Sequence, residues 1–193
     1  GMIKKSFLRR GIEYILLLLL AIFVASCGVR NKNSQVYSTP KEKEVTLLRK
    51  ITTIYIDKPK KALQMLDSAE QHRLIPIEEI QNLRAMSYFY GLDNPQKALE
   101  CANKGYSNAI ENVDTLAQLN SLKVLVTVYY MQSHYTEVII KSNEAIELAL
   151  KIKDKESVAF FYMALGSAKS EIDNLNDALD YLNKSIEIYQ TIV

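Results

Sequence analysis

Small and apolar residues recur along this chain at a fixed interval. The stretches GLDNPQKALE at 91–100 and EIDNLNDALD at 171–180 share Asp-Asn followed by Ala-Leu. The stretch MQSHYTEVII at 131–140 lies halfway between them and has Val-Ile in the Ala-Leu position, so each copy is offset from the last by 40 in the numbering. A looser copy begins at KPKKALQ, where Ala62 precedes Ala98 by slightly less than this interval. The pattern therefore indicates a chain built from four copies of one structural unit.

Within each copy the apolar positions follow the spacing of an α-helix. Ala98, Ala102, Gly105 and Ala109 are separated by 4, 3 and 4 positions, which places them on one face of a helix. Repeats of this length that contain two helices bury their apolar faces only by stacking on one another. We therefore predict an all-α fold of four helix pairs, at about 45–75, 77–112, 114–152 and 155–192.

Two segments are rich in the β-branched residues that favour strands. They are ITTIYI at 51–56 and VLVTVYYM at 124–131. The repeat register places both on the first helix of a pair, and tertiary context overrides intrinsic propensity. We therefore predict that both segments are helical.

The last copy, FFYMALGSAKSEIDNLNDALDYLNKSIEIY, resembles the tetratricopeptide repeat (TPR) family. The matching positions are filled by Tyr162, Leu165, Gly166, Ala178, Leu182 and Ser185. The resemblance implies a right-handed α-α superhelix. It also implies that Gly166 lets the helices of a pair approach closely, that Ala178 lies at their crossing, and that Ser185 lies where a following repeat packs.

The N-terminus has the features of a bacterial lipoprotein signal peptide. A basic start is followed by eleven apolar residues, Ile15 to Ala25, which is too short to cross a bilayer. The sequence Val-Ala-Ser-Cys at its end resembles a lipobox, which implies cleavage after residue 26 and acylation of Cys27. An uncleaved membrane anchor is the alternative. We predict a leader at 1–26, a polar tether at 27–44 and a domain at 45–193, held outside the cytoplasm in the bacterial envelope.

Charge and chemistry narrow the function further. The net charge is +2, and the leader alone contributes +3 from four Lys or Arg residues and one Glu, which leaves −1 for the rest. A chain without basic excess is not expected to bind nucleic acid.

The sequence contains no catalytic or metal-binding motif. His72 and His134 lie in different repeats, and Cys101 is expected to be a buried thiol. We expect no cofactor and no enzymatic activity.

The resemblance also implies a binding site in the concave groove lined by the first helices. The groove positions that it carries over are Leu83, Ser87, Tyr90, Asn120, Lys123, Thr127, Tyr130, Met163, Ser167 and Ser170. We expect this face to bind a peptide or protein, with Tyr90 and Tyr130 stacked in register. The alternative is that the tyrosines only pack between neighbouring helices. Relatives that clamp a C-terminal carboxylate have Asn where Ser87, Thr127 and Ser167 stand, so this mode is disfavoured.

The last predicted helix leaves apolar side chains uncovered, among them Leu182 and Ile186. The chain therefore pairs with itself as a homodimer, binds a partner there, or belongs to a longer protein.

The leading hypothesis is a lipid-anchored, protein-binding scaffold of the envelope, and Gly28 after the cysteine favours the outer membrane. The alternatives are the extracytoplasmic sensing segment of a longer membrane-bound regulator and a glycan-binding uptake lipoprotein.

Overall fold

The computed structural model describes residues 40–172 and 174–192, and this part of the chain is all-α with no strand. The predicted all-α class is confirmed. Eight helices are present in the described residues. They are α1 Pro40–Thr52, α2 Pro59–Gln71, α3 Ile77–Met86, α4 Pro95–Glu111, α5 Thr115–Met131, α6 Tyr135–Lys151, α7 Lys155–Glu171 and α8 Leu175–Ile192. A π-helical turn, Ser87–Gly91, extends α3.

The helix boundaries follow the interval seen in the sequence. Helices α4, α6 and α8 begin at Pro95, Tyr135 and Leu175, which are equally spaced at the repeat interval. Helices α5 and α7 begin at Thr115 and Lys155, which are separated by the same interval. Each helix from α4 to α7 has 17 residues, and three-residue connections join them. The repeated unit is therefore a pair of equal helices with two short turns.

Short polar side chains begin these helices. The side-chain oxygens of Asn94, Asp114 and Asp154 accept hydrogen bonds from the backbone N–H groups of Lys97, Ala117 and Ser157. Those N–H groups belong to the first helical turn, where no intrahelical acceptor exists. Asn174 caps α8 in the same way. The starts of α4, α5, α7 and α8 are therefore encoded locally.

The helix ends are equally regular, because a residue with positive φ follows each helical segment from α2 to α6. These evenly spaced residues are Arg73, Asp93, Val113, Ser133 and Lys153, with φ between 48° and 61°. The N–H of the following residue bonds back to the last turn, as from Asp114 to the Ala109 carbonyl at 3.3 Å. This is the arrangement of a Schellman motif. It reverses the chain within a short connection and brings each helix alongside the one before.

The helices pack in order along the chain. Each contacts its successor, and the odd helices also contact one another in series, α3 with α5 and α5 with α7. The apolar core lies between these helices, with large, fully buried side chains such as Leu122, Leu125, Phe161 and Leu165. Because of these contacts, the odd helices α3, α5 and α7 form a continuous row.

The pair α7–α8 shows why a glycine is needed at the crossing. A Cβ atom on Gly166 would lie 2.9 Å from the Ala178 carbonyl oxygen and 2.7 Å from Cγ of Leu182. Ala178 is itself buried, so the predicted close approach of the two helices is confirmed.

The contact made by Ser185 differs from the one expected. Its hydroxyl donates to the Ala159 carbonyl at 2.7 Å, so it holds its own pair together instead of facing a further repeat.

The N-terminal pair departs from the predicted boundaries. Helix α1 begins at Pro40, so residues 40–44, assigned to the tether, are helical. Proline suits the first helical position, since its missing N–H is not needed there. Helix α1 then ends at Thr52, so most of the segment 51–56 forms turns and its predicted helix is wrong. The Thr52 and Thr53 hydroxyls bond to carbonyls one turn back, and Pro59 already starts the next helix.

The second β-branched segment behaves as predicted. Residues 124–131 lie entirely within α5, where Val124, Leu125, Val126 and Val128 are buried. The free energy of burying these side chains between helices outweighs the small preference of valine for strands.

The leader at 1–26 and Cys27 lie outside the described residues. Within the described part, no helix is both long and apolar enough to cross a membrane.

Val113 yields a test of how the helix ends are made. It is a β-branched residue at φ 55° and is 83% exposed. Neither its backbone conformation nor burial of its side chain therefore favours valine at this position. We expect Val113→Gly to raise the free energy of unfolding by about 0.5–1 kcal/mol, because glycine adopts positive φ without steric cost. Equilibrium unfolding in urea measures the change.

Val113→Ala is the matched control for this prediction. Alanine removes most of the same exposed side chain but keeps a Cβ atom at positive φ, so we expect it to give less than half of the gain. A glycine variant that is less stable than wild type would contradict the assignment of backbone strain to this residue.

Candidate binding face

The ten predicted groove residues all lie on the row of odd helices. Leu83 is on α3, Ser87 and Tyr90 are in its π-helical turn, and the remaining residues are on α5 and α7. Seven are buried, namely Leu83, Ser87, Lys123, Thr127, Tyr130, Met163 and Ser167. Asn120, Ser170 and Tyr90 are half-buried. The sequence placed these residues on a common series of helices, but most of them are packed side chains.

One position in each odd helix carries a small hydroxyl group. The Ser87 hydroxyl donates to the Leu83 carbonyl at 2.8 Å, and the Thr127 hydroxyl donates to the Lys123 carbonyl at 2.8 Å. Ser167 is fully buried, and its hydroxyl has no hydrogen-bond partner among the described residues. Ser87 and Thr127 therefore satisfy their polar groups within their own helices. Their small size lets neighbouring odd helices lie close together.

Lys123 is a buried cation at the centre of this row. Its side chain is only 3% exposed, and Nζ lies 5.8 Å from the centre of the Phe160 ring on α7. At that distance the ammonium group is attracted by the face of the ring. Lys123 therefore links α5 to α7 across the odd-helix row.

Tyr90 and Tyr130 contact different aromatic neighbours. The Tyr90 ring packs edge-on against Phe89 at 4.9 Å, and the Tyr130 ring packs edge-on against Tyr135 at 5.6 Å. In the part of the chain that the structure describes, the expected stack of the two tyrosines is absent. Tyr90 lies in the π-helical turn that follows α3, whereas Tyr130 lies in the last turn of the α-helix α5.

The two tyrosine hydroxyls also differ in their surroundings. The Tyr130 hydroxyl donates to a carboxylate oxygen of Glu171 at 3.4 Å, which joins α5 to the end of α7. The Tyr90 hydroxyl is buried and has no hydrogen-bond partner within the described ranges. Burial, followed by the proximity of Tyr55, raises the pKa of Tyr90 well above its ordinary value. Tyr90 is therefore a neutral phenol whose hydroxyl lies inside the protein, near Tyr55.

The accessible polar part of the face is small. Asn120 on α5 and Ser170 on α7 are half-buried, so their side chains reach solvent in part. Amide and hydroxyl groups both donate and accept hydrogen bonds, as the backbone of an extended peptide requires. Among the described residues the face can recognise polar groups, and it offers no nucleophile paired with a base.

Sequence inspection missed a polar contact between the pairs. Asn82 on α3 donates through Nδ2 to the Ser121 hydroxyl on α5 at 3.1 Å. A Cβ atom on Gly105 of α4 would lie 2.5 Å from Oδ1 of Asn82, so glycine makes room for this amide. Gly105, in the middle of a helix, was the available signal for this close contact.

A second missed contact joins the even helices α4 and α6. The Tyr106 hydroxyl donates to the Glu144 carboxylate, and Lys141 Nζ lies 2.8 Å from the same group. Lys141 also lies 4.9 Å from the centre of the Tyr106 ring. Burial opposes ionisation of Glu144, but the hydrogen bonds from Lys141 and Tyr106 outweigh it and lower the pKa of the carboxyl group. The contact fixes the spacing of successive pairs.

The cysteine and the two histidines that were considered for a chemical role lie within helices or at helix ends. Cys101 is buried on α4, as predicted, and burial raises the pKa of its thiol. His72 is exposed at the end of α2, where Nδ1 lies 2.8 Å from the Ser68 carbonyl oxygen. His134 is exposed at the start of α6. No group of three His, Cys, Asp or Glu residues suited to a metal ion occurs among the described residues.

Acidic residues of α1 and α3 lie near one another. Glu78 is buried and accepts a hydrogen bond from Asn112 at 3.1 Å, and Glu79 beside it is half-buried. Burial, followed by the charges of Glu78 and Glu44, raises the pKa of Glu79 to about 7. This carboxyl group therefore titrates near neutrality.

Comparisons with known proteins do not assign the chain to a family. No protein-family model matches it, and no curated protein is significantly similar to it. A functional assignment therefore has to rest on the residues and contacts described above.

The raised pKa of Glu79 predicts how stability depends on pH. The folded state holds this proton more tightly than the unfolded chain, so the contribution of Glu79 to the free energy of unfolding falls as pH rises from 4.5 to about 7. We expect Glu79→Gln to be more stable than wild type at pH 8 by about 1 kcal/mol, and equal to it at pH 4. Urea unfolding across this pH range measures the difference. Exposed Glu137→Gln is the control, and an equal gain there would contradict the assignment.

Proposed function

We propose that this protein is a non-catalytic, protein-binding scaffold, anchored by lipid in the bacterial envelope. In this proposal the helix pairs form a TPR-like superhelix, and its concave face, lined by α3, α5 and α7, binds a peptide or a protein. Acylated Cys27 holds the domain at the membrane.

The observation that carries the proposal is the contact among the odd helices. A stack in which alternate helices touch one another presents those helices as one continuous surface. Repeat proteins use such extended surfaces to bind partners. The regular interval of the helix boundaries supports the same interpretation, since equivalent side chains recur along the surface.

The chemistry of this face favours an extended, largely uncharged segment of a partner. Asn120 and Ser170 offer amide and hydroxyl groups, and Tyr90 adds a half-buried aromatic ring. Tyrosine provides contact area with little loss of conformational entropy. The hydroxyls of Ser87 and Thr127 are already used within their own helices, which disfavours capture of a free carboxylate there.

A photo-crosslinking experiment tests the binding face. A photoreactive amino acid at Asn120 is expected to capture a partner in intact cells, because this side chain reaches solvent from the odd-helix row. Ser170→Arg in the same chain should reduce the yield at least tenfold, since a long charged side chain would occupy the face. Mass spectrometry of the adducts measures the yield and identifies the captured peptide.

The matched control places the same photoreactive group at Asn143. This asparagine is exposed on the even helix α6, so it should give no specific adduct. Equal adducts from Asn120 and Asn143, or an Asn120 adduct unaffected by Ser170→Arg, would contradict the assignment of the face.

The anchor has a separate test. We expect the natural protein, extracted from membranes, to begin at Cys27 and to carry acyl chains on that residue. Cys27→Ser should lose the acyl mass and leave the leader uncleaved, because the acylated sulfur is the substrate of processing in the lipoproteins that the motif resembles. Intact mass spectrometry and membrane fractionation check both outcomes. Wild-type protein that carries no acyl chain would contradict lipid anchoring.

A further inference from the structure

The connection between α1 and α2 carries a cluster of exposed cations. Between residues 49 and 61 the chain has five Lys or Arg residues and one acid, Asp57. Each of the five cations is exposed, and Ile56, which lies among them in the connection, is 50% exposed. We call this set the basic turn, and it consists of Arg49, Lys50, Ile56, Lys58, Lys60 and Lys61.

The remainder of the domain has the opposite charge. Residues 40–61 contain seven Lys or Arg and three Asp or Glu, a net charge of +4, whereas residues 62–193 contain 11 and 18, a net charge of −7. The acids of α2, Asp67 and Glu70, lie toward its other end and pair with an arginine of α3. Along the helix Glu70 is about 15 Å from Lys60, which exceeds a Debye length of about 8–10 Å. The basic turn therefore keeps its positive charge toward solvent.

Helix formation does not explain the cations of α2. Lys58 stands at the N-cap, where α4, α5, α7 and α8 have Asn or Asp, and its side chain makes no capping hydrogen bond. Lys60 and Lys61 lie in the first turn, which contains no acid, so the helix dipole opposes their charge. Within the described part of the chain, these three lysines form no ion pair. Because they weaken the start of α2, their presence indicates a role at the surface.

The fold holds the residues on either side of Ile56 in place. Tyr55 is buried, and a Cβ atom on Gly91 would lie 2.6 Å from the Tyr55 carbonyl oxygen and 2.5 Å from Cβ of Pro59. The connection between α3 and α4 therefore packs directly against the basic turn. Ile56 is consequently a fixed apolar projection surrounded by cations. Membrane-surface binding combines these two features, since apolar side chains enter the interface and cations attract anionic headgroups.

The position of the basic turn along the chain favours a bilayer as its partner. Helix α1 begins at Pro40, and an extended chain places that residue within about 45 Å of Cys27. Helix α1 is itself only about 20 Å long. Residues 14–41 contain no acid, so the part of the sequence before the domain brings no negative charge to the turn.

We propose that the basic turn docks on an anionic phospholipid bilayer, with Ile56 in the interface, and thereby orients the domain on the membrane. This proposal rests on the membrane attachment in the proposed function, but it requires neither acylation of Cys27 nor binding at the odd-helix face. The cations select anionic headgroups, and the acidic remainder of the domain is repelled from the same surface.

Photo-crosslinking to lipid tests this orientation with the full chain. The Cys27 thiol is coupled to a maleimide phospholipid, which gives the same attachment in every vesicle, and buried Cys101 is left unmodified. A photoreactive amino acid replaces Ile56. In phosphatidylcholine vesicles with about 30% phosphatidylglycerol, the yield of phospholipid adducts should be about tenfold greater than in pure phosphatidylcholine, because the cations bind only the charged surface. Mass spectrometry of the adducts measures the yield.

Two other isoleucines provide matched positions. Ile172 is 50% exposed at the end of α7 beside Glu171, and Ile152 is 43% exposed at the end of α6. The same photoreactive group at either position should give only the low yield seen in pure phosphatidylcholine. Equal yields at positions 56 and 172 in the anionic vesicles would overturn the proposed orientation.

Charge variants identify the groups that hold the domain. Each cation at an anionic surface strengthens association about fivefold, so Lys58→Gln, Lys60→Gln and Lys61→Gln together should lower the ratio of docked to undocked domain about 100-fold. The adduct at position 56 should then fall to the level of pure phosphatidylcholine. The matched triple variant, Lys151→Gln, Lys153→Gln and Lys155→Gln, removes three exposed lysines interleaved with Asp154 and Glu156 and should leave the yield unchanged.

The two triple variants decide the proposal. An adduct at position 56 that survives loss of the turn lysines, or that falls equally with both variants, would overturn docking through the basic turn. Both results are independent of natural acylation, because the attachment at Cys27 is chemical. Failure of the lipid anchor and failure of this orientation are therefore distinguishable.

Discussion

Close packing of consecutive helices through small side chains is the constraint on which this structure depends. Ala98, Ala102 and Gly105 are buried along α4, and a Cβ atom on Gly166 would come within 2.9 Å of the Ala178 carbonyl oxygen. A larger residue at such a position would push the helices apart. The odd helices would then lose contact with one another, and the continuous face that they form would open.

Polar contacts between helices add specificity to this packing. Asn82 reaches Ser121, Ser185 reaches the Ala159 carbonyl, and Tyr106 reaches Glu144. A buried polar group costs free energy when it loses its partner, so these contacts penalise a slipped register more strongly than apolar packing does. They explain why helices with similar small-residue patterns stack in one order.

The same repetition leaves α8 in a different situation from α4 and α6. Those helices are covered on both sides by odd helices, whereas within the described residues α8 has α7 on one side and an apolar stripe on the other.

The sequence by itself determined the all-α class, the repeat interval and most helix boundaries, because these depend on residues close together in the chain. Asn94, Asp114 and Asp154 begin helices, and the apolar spacing runs unbroken between them. Only the tertiary structure decided that Lys123 and Tyr130 are buried, that α3 ends in a π-helical turn, and that Ile186 is open while Ile146 is covered. The exposure of a side chain depends on neighbours about one repeat away, and no local pattern records where those neighbours lie.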